Sequence, residues 1–460
     1  MESEHRLVAF VNGAELSQVP SEARTTLRNV LMAVLGAGIA GAGEEGIEPL
    51  RRLLVERGGR GEATSLVFGD RLPATSAALL NGTMCRALDF CDAIAPGAHV
   101  GSAVVPAALA AAESVGGCTG RELMTALSVG IEVGARFNLT EEMYDGFDPT
   151  GIASIFGAAA AAGRVMRLDD EQMLHALALA FDCCGGSFQS HIDGSLAVRL
   201  QQGWVAERGV LCAELARVGL TGPVNFLEGR CGFTHLYAKD LCAPTWFVER
   251  IGDEWRMNGF VFKTFPSCGV TQGVTQEALE VAAELGIGAA DVERVEVRMP
   301  PYAHRLVGNP FTLGANPRVN AQFSVQYCVA NAIVRGASKL EHFRPDAVSN
   351  PSLTPLIERI DVVADPSMDA RGHSSVDLDL VTRDGRRASR RLDISPGFPG
   401  NGLGEAEHRA RFDDCMAYAA HPLDDPQVER LIETIDDLAN VGDVAELTNL
   451  LIAPSAQTVR

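Results

Sequence analysis

Lysine is almost missing from this chain. Lys239, Lys263 and Lys339 are the whole set, and arginine supplies the rest of the 39 basic residues. Acidic residues number 59, which leaves a net charge of −20 at pH 7. Such an excess of negative charge argues against nucleic acid or an anionic membrane as a partner. An anionic substrate would need a local basic pocket. Cysteine pairs at CxxC spacing are also missing: the eleven cysteines are scattered and odd in number. Reduced thiols in a cytoplasm are the expectation. The ten histidines show no HxH or HExxH spacing, so no metal site is expected. Long apolar runs are absent too. The uncharged apolar stretch Val30 to Gly43, 14 residues, falls short of the roughly 20 residues a bilayer span takes. The opening residues MESEHRLVAF lack a basic segment followed by an apolar core, so no secretory leader is expected. Aromatic residues make up only 6%, and the Phe and Met residues read as core.

What is present fits a globular protein of two or three domains: 460 residues, 47% hydrophobic and 21% charged. The chain is organised around Asn81 to Pro106. Two carboxylates, Asp89 and Asp92, precede a Pro96-Gly97 turn and then His99, between two helical segments. A loop on a rigid scaffold is a sound place for proton transfer. Residues 14–42 read as helix, with Leu27, Val30, Leu31, Val34, Leu35 and Ile39 at three- and four-residue spacing. Gly36 to Gly41 spell a formal GxGxxG, but no strand pattern precedes it, so close helix packing explains the glycines better than a dinucleotide. Further helices are predicted over 101–115, 151–166 and 204–218. Thr119 with Glu122, and Asp169 with Gln172, sign helix starts.

The pattern changes after Gly259. Val295, Val297 and Met299 alternate with charged residues, as do Val376, Leu378 and Leu380. Asp384-Gly385 reads as a hairpin turn before a strand at 388–394. Helices are predicted at 272–286, 319–335 and again over 405–440. The expected architecture is mainly α: a helical domain of residues 1–258 and 402–460, with a smaller α+β lid domain of 259–401.

Several motifs, taken in order, resemble the MmgE/PrpD family. Asn81-Gly82 with Leu88-Asp89-Phe90 and His99 is similar to its acidic loop and histidine. Pro149-Thr150-Gly151 with Phe156-Gly157-Ala158, then Asp193-Gly194-Ser195 with Arg199-Leu200 and Gly203, look like its PTG and DGS regions. Leu227 to Phe233 resembles its EGxxGF turn, and Lys263 with Phe265 to Cys268 its K-x-[YF]-P-x-C stretch. The resemblance implies a helical domain and a lid with a cleft between them, a homodimer, and no cofactor or metal. This chain departs from the family pattern at several proton carriers. Arg86, Asp148, Gln201, Cys268 and Gln272 stand where histidines occur, and Val198 where a lysine is usual. Cys91, Asp92 and Ala93 replace the usual acidic cluster, and His304 stands where some members carry a tyrosine.

The implied chemistry abstracts a proton beside a carboxylate and then expels hydroxide or carbon dioxide, or reprotonates the other face. It needs an acid, a base and cationic clamps. Asp89, His99 and His304 are the candidate catalytic groups. Arg86, Asp92, Arg199, Lys263, Cys268 and Gln272 are the candidate substrate contacts. Each has a plainer reading: a turn carboxylate, a capping histidine, an ion pair, a buried thiol. Asp89, His99 and Lys263 are expected to line one hollow. The leading expectation is a cofactor-independent lyase acting on a small organic acid. The alternatives are an epimerase, or a binding protein that has lost its proton carriers.

Overall fold

Small side chains decide how the helices of the N-terminal half meet. The computed structural model describes residues 2–454. Its first helices are α1 (Glu2–Gly13), α2 (Ser21–Gly41), α3 (Ile47–Arg57), α4 (Ala74–Arg86), α5 (Gly101–Ser114), α6 (Gly120–Arg136), α7 (Pro149–Val165), α8 (Asp170–Asp182) and α9 (Ala197–Arg217). The helix expected over 14–42 is shorter at its start. Leu16–Gln18 makes a single 3-10 turn, and Pro20, which has no N–H to offer a helix, precedes α2. Gly36 to Gly41 lie inside α2. A Cβ on Gly41 would come 2.2 Å from the Met84 carbonyl oxygen, and one on Gly38 2.9 Å from the Cys85 sulfur. These glycines let α2 lie against α4; they do not form a phosphate loop. The same device seats α4 on α9, where a Cβ on Gly203 would stand 2.2 Å from Thr83 Oγ1.

Helix starts follow the sequence signals. The Glu122 amide donates to Thr119 Oγ1 at 3.3 Å, while the Thr119 amide donates to the Glu122 carboxylate at 2.8 Å. Asp169 and Gln172 make the same reciprocal pair. Beneath these helices Phe137 stacks on Phe156, with ring centres 3.8 Å apart, and Phe226, Phe233 and Phe247 close around them. Next to this cluster lies a wholly buried ion pair, Arg136 with Glu132 at 2.6 Å. Both partners also bind backbone: Glu132 accepts from the Arg256 and Met257 amides, and Arg136 donates to the Glu249 and Glu254 carbonyls. Stripping water from two charges is offset only when their remaining valences are met in this way.

The chain divides into two compact units. The first is drawn from Met1–Ser190, Leu196–Phe260 and Cys415–Arg460, the second from His191–Ser195 and Val261–Asp414. The second unit is α+β. Its sheet holds β1 (Val292–Met299), β2 (Ile360–Ala364), β3 (Val376–Thr382) and β4 (Arg387–Leu392), in the order β2-β1-β3-β4. β2 runs parallel to β1, with Val295 opposite Ile360, and β3 antiparallel, with Val297 opposite Leu378. Val295, Val297, Met299, Leu378 and Leu380 are fully buried, so the predicted alternation marks the core face. The β3–β4 hairpin turns at Asp384-Gly385, where Gly385 takes a φ of +86°.

Helices α10 (Gln272–Leu285), α11 (Pro301–Val307), α12 (Pro317–Gln322) and α13 (Val325–Arg335) complete this unit's main elements. The single helix expected over 319–335 is thus two. Ser324 breaks it by capping α13, accepting from the Tyr327 amide at 3.2 Å. The helix expected over 405–440 is also divided, into Glu405–Tyr418 and Asp425–Asp436. Asp424 caps the second piece, accepting from the Gln427 amide at 2.8 Å. Among the described residues no helix is long and apolar enough to cross a membrane.

Candidate active site

The last turn of α4 and the loop that follows it build the site. Arg86 closes α4, and its guanidinium donates to Asp89 Oδ1. Asp89 has a φ of +52°, a left-handed conformation that Asp tolerates better than most residues. That turn folds its carboxylate back over Arg86. The loop then reverses on itself: Ile94 and Ala98 exchange both backbone hydrogen bonds, at 2.8 and 3.1 Å. The reversal brings His99 back beside residues 89–92.

His99 is held from three sides. Its backbone N–H donates to Thr150 Oγ1 at 2.9 Å. Its Nδ1 lies 2.6 Å from the Asp92 carbonyl, which fixes a proton on that nitrogen, and 3.5 Å from the Cys91 sulfur. Nε2 is left facing Asp89 Oδ1 at 3.7 Å. The Asp92 carboxylate points the other way, accepting from the Gly101 and Ser102 amides at 2.7 and 3.1 Å. It caps α5 with both oxygens, and as a wholly buried group it positions the loop. A Cβ on Gly101 would stand 2.9 Å from Asp92 Oδ1, so only glycine admits this cap.

Two further residues complete the cluster. Asp148 caps α7, accepting from the Thr150 and Gly151 amides at 2.9 and 3.2 Å. Burial raises its carboxyl pKa above the ordinary value, against the pull of those amides and of Arg86. Burial pulls the Arg86 guanidinium down, yet Asp89, Cys91 and Asp148 together hold it above its usual value. Gln202 on α9, with its amide oriented to satisfy both neighbours, accepts from Arg86 Nε at 3.1 Å and donates to the Val198 carbonyl at 3.2 Å. Arg86, Asp89, His99, Asp148, Thr150 and Gln202 are each under a tenth exposed. The result is a buried cluster with one imidazole nitrogen beside a carboxylate and a cation. It can hand a proton to carbon or take one from it.

Arg199 lies elsewhere in the first unit. It donates to the Glu45 carbonyl at 2.6 Å and pairs with Glu44 at 3.5 Å, which makes it a brace on the segment after α2.

The other candidates belong to the second unit. Lys263 is 2% exposed, and its carbonyl accepts from Arg411 Nε at 2.5 Å. Cys268 is partly buried against the apolar core of this unit. Gln272 is wholly buried and binds the Phe265–Cys268 loop with both ends of its amide: Oε1 accepts from the Phe265 amide at 2.8 Å, and Nε2 donates to the Phe265 carbonyl at 3.0 Å. That makes Gln272 a clamp on this loop. His304 sits half-buried on α11, its ring packed on Gly308, where a Cβ would come 2.5 Å from Cδ2.

Two family models match this chain, the MmgE/PrpD N-terminal domain over residues 5–242 and the MmgE/PrpD C-terminal domain over 265–438. The chain belongs to the MmgE/PrpD family. It is similar along its length to cis-aconitate decarboxylase of Mus musculus, at 25% identity over 97% of this chain and 93% of the relative. The Homo sapiens cis-aconitate decarboxylase is 25% identical over 98% and 94%. A cis-aconitate decarboxylase-like protein of Aspergillus oryzae is 23% identical over 97% and 96%.

Set in the MmgE/PrpD fold, two departures from the family pattern answer each other. Arg86 and Asp148, both read from the sequence as replacing histidines, attract one another as opposite charges. Val198, at the usual lysine position, is a buried side chain in the first turn of α9. Gln201 donates to the Gly185 carbonyl at 3.1 Å and so serves the backbone. The sequence marked Asp148 as a departure only, although Asp-Pro-Thr-Gly is a capping signature that could have placed it. Thr150 was marked only as part of the Pro-Thr-Gly motif, and Gln202 gave no signal, because their partners His99 and Arg86 lie far along the chain. Among the described residues no group of three or more His, Cys, Asp or Glu side chains is placed to hold a metal ion.

Proposed function

We propose that this chain is a cofactor-independent lyase of the decarboxylase type, acting in the cytoplasm as a homodimer on a small di- or tricarboxylate. One observation carries the reading: His99 Nε2 faces Asp89 at 3.7 Å while Nδ1 is locked on the Asp92 carbonyl. In this reading the substrate's carbon–carboxylate bond breaks and carbon dioxide leaves. The electron pair stays on carbon, and the His99 proton goes to the carbon skeleton. Asp89 stabilises the imidazolium before transfer, and Arg86 donates to Asp89 and orients it. The relatives named cis-aconitate decarboxylase support decarboxylation over dehydration and make cis-aconitate the first acid to try.

The test is turnover of cis-aconitate and related acids in deuterium oxide. Expected are carbon dioxide release and one deuterium in the product. His99→Asn should lower kcat by about 10²–10⁴-fold with an unchanged circular dichroism spectrum. Exchange without loss of carbon dioxide would replace the lyase with an epimerase, and unaltered turnover in the His99 variant would remove the imidazole from the mechanism.

A further inference from the structure

His99 stands on a loop, and two helix ends outside that loop hold it. Asn138, just past the end of α6, donates from Nδ2 to the Ala95 carbonyl at 2.5 Å. Ala95 is at the tip of the loop, inside the Ile94–Ala98 reversal. Thr150, in the first turn of α7, accepts the His99 N–H on Oγ1 at 2.9 Å. Both side chains are buried, Asn138 at 8% exposure and Thr150 at 1%. The Asn138 amide keeps its NH2 on Ala95 although its Oδ1 then meets no hydrogen-bond partner among the described residues. A buried acceptor left open is costly, so the loop sets that orientation and not the needs of the amide itself.

We propose that Asn138 and Thr150 are positioning residues for His99, which together set where its Nε2 stands relative to Asp89. The inference rests on the reading of His99 as the proton donor. Both residues act through the loop backbone, and both are mounted on one close-packed pair of helices. A Cβ on Gly130 of α6 would stand 2.7 Å from the Gly157 carbonyl of α7, so the two helices touch backbone to backbone. On the same face of α6, a Cβ on Gly134 would come 2.5 Å from Val100 Cγ1, the side chain next to His99. The segment from Ala95 to His99 is thus tied at both ends to a single base. Hydrogen bonds within the loop close its reversal, but only ties to the helices give the ring an address.

The chemical consequence falls on turnover. Without the Thr150 oxygen the His99 N–H is buried with no acceptor, and the backbone turns to find one, carrying the ring with it. A misplacement of about 1 Å in a reacting group can cost on the order of 10²-fold in rate. Substrate affinity, which depends on the groups that clamp the acid, is left nearly as it was.

Three variants of the full-length protein test this. Thr150→Val keeps the shape and removes the acceptor, Thr150→Ser keeps the acceptor and drops a methyl, and Asn138→Leu removes the donor at similar volume. Hydrogen–deuterium exchange is read at residue resolution by mass spectrometry with electron-transfer fragmentation. In Thr150→Val the His99 amide should exchange about tenfold faster or more. The Gly101 and Ser102 amides, held by Asp92, should be unchanged, and Thr150→Ser should match the parent. With cis-aconitate, kcat should fall about 10–10²-fold in the Val and Leu variants, with KM within about twofold and most of the loss restored in Thr150→Ser. Because both anchors act on one loop, the Val and Leu changes combined should cost less than the product of the single losses. Unchanged exchange at His99 in Thr150→Val would overturn the proposal. So would equal kcat losses in the Val and Ser variants, or a change confined to KM. If Thr150→Val fails to fold, Asn138→Leu decides by the same split between kcat and KM. A parent protein inactive on cis-aconitate would sink the proposed reaction alone, since the exchange measurement needs no substrate and still decides the anchoring.

Discussion

At the level of single residues, the site's electrostatics rest on one guanidinium between two acids. Asp148 ionises against its surroundings, since burial outweighs Arg86 and two backbone amides. A carboxyl raised in the folded state keeps its proton there after the unfolded chain has lost it. The stabilisation is present below the ordinary value of 3.8 and is lost as pH rises through the folded pKa. Asn caps helices as well as Asp and cannot ionise. Asp148→Asn should therefore gain stability relative to the parent as pH climbs from about 4 towards neutrality, read by urea unfolding at several pH values. A gap that stays constant or narrows would mean that Asp148 is held ionised throughout. Removing Arg86 should be worse at every pH above the acid range. Arg86→Met leaves buried carboxylates without their cation and should lower stability by about 3–5 kcal/mol, measured in the same unfolding series. The nearness of Asp89 and His99 was legible in the sequence because both stand on one short loop. That Arg199 could be an ion pair was also read there, but not its partners, because Glu44 and Glu45 are more than 150 residues away.

At the level of elements, glycine and alanine faces set the distances on which the site depends. α4 carries Arg86 and α9 carries Gln202, and Gly203 and Gly82 let these two helices touch. Gly203→Ala would force its Cβ against Thr83 Oγ1 and the Leu79 carbonyl, at 2.2 and 2.5 Å. The helices must part, at a cost of about 1–3 kcal/mol. Because Gln202 moves with the backbone of α9, kcat should fall as well. Thr119→Ala makes the useful contrast. It removes a cap far along the chain from the site and should lower stability by about 1 kcal/mol with kcat unchanged. Thermal melts beside steady-state kinetics separate the two, and equal kinetic losses would show that α4–α9 spacing has no special claim on the site. The helix centres and caps were readable because periodicity and Ser/Thr/Asp signals are local. The breaks at residues 14–20, 323–324 and 419–424 were missed because the apolar rhythm carries straight through them. What stops each helix is a cap or a proline whose effect depends on the turn before it.

For the molecule as a whole, the decisive quantity is the charge balance. The sequence showed the total at a glance, but not which cations are buried among acids. Arg86 and Arg136 are both under a twentieth exposed and paired with Asp89 and Glu132, so neither projects attraction far into solvent. At long range an approaching di- or tricarboxylate meets a body of net charge −20. That repulsion reaches about 30 Å at 0.01 M salt and only about 8 Å at 0.15 M. Contacts within the site lie inside the shorter distance and are hardly screened. Raising salt across this range should therefore increase kcat/KM for an anionic substrate several-fold while leaving kcat unchanged, because only the encounter is helped. Stopped-flow or steady-state assays at constant pH read the effect directly. A fall in kcat/KM with salt would mean that a basic funnel around Arg86 or Lys263 overrides the acidic surface, and that the substrate is steered in instead of merely tolerated.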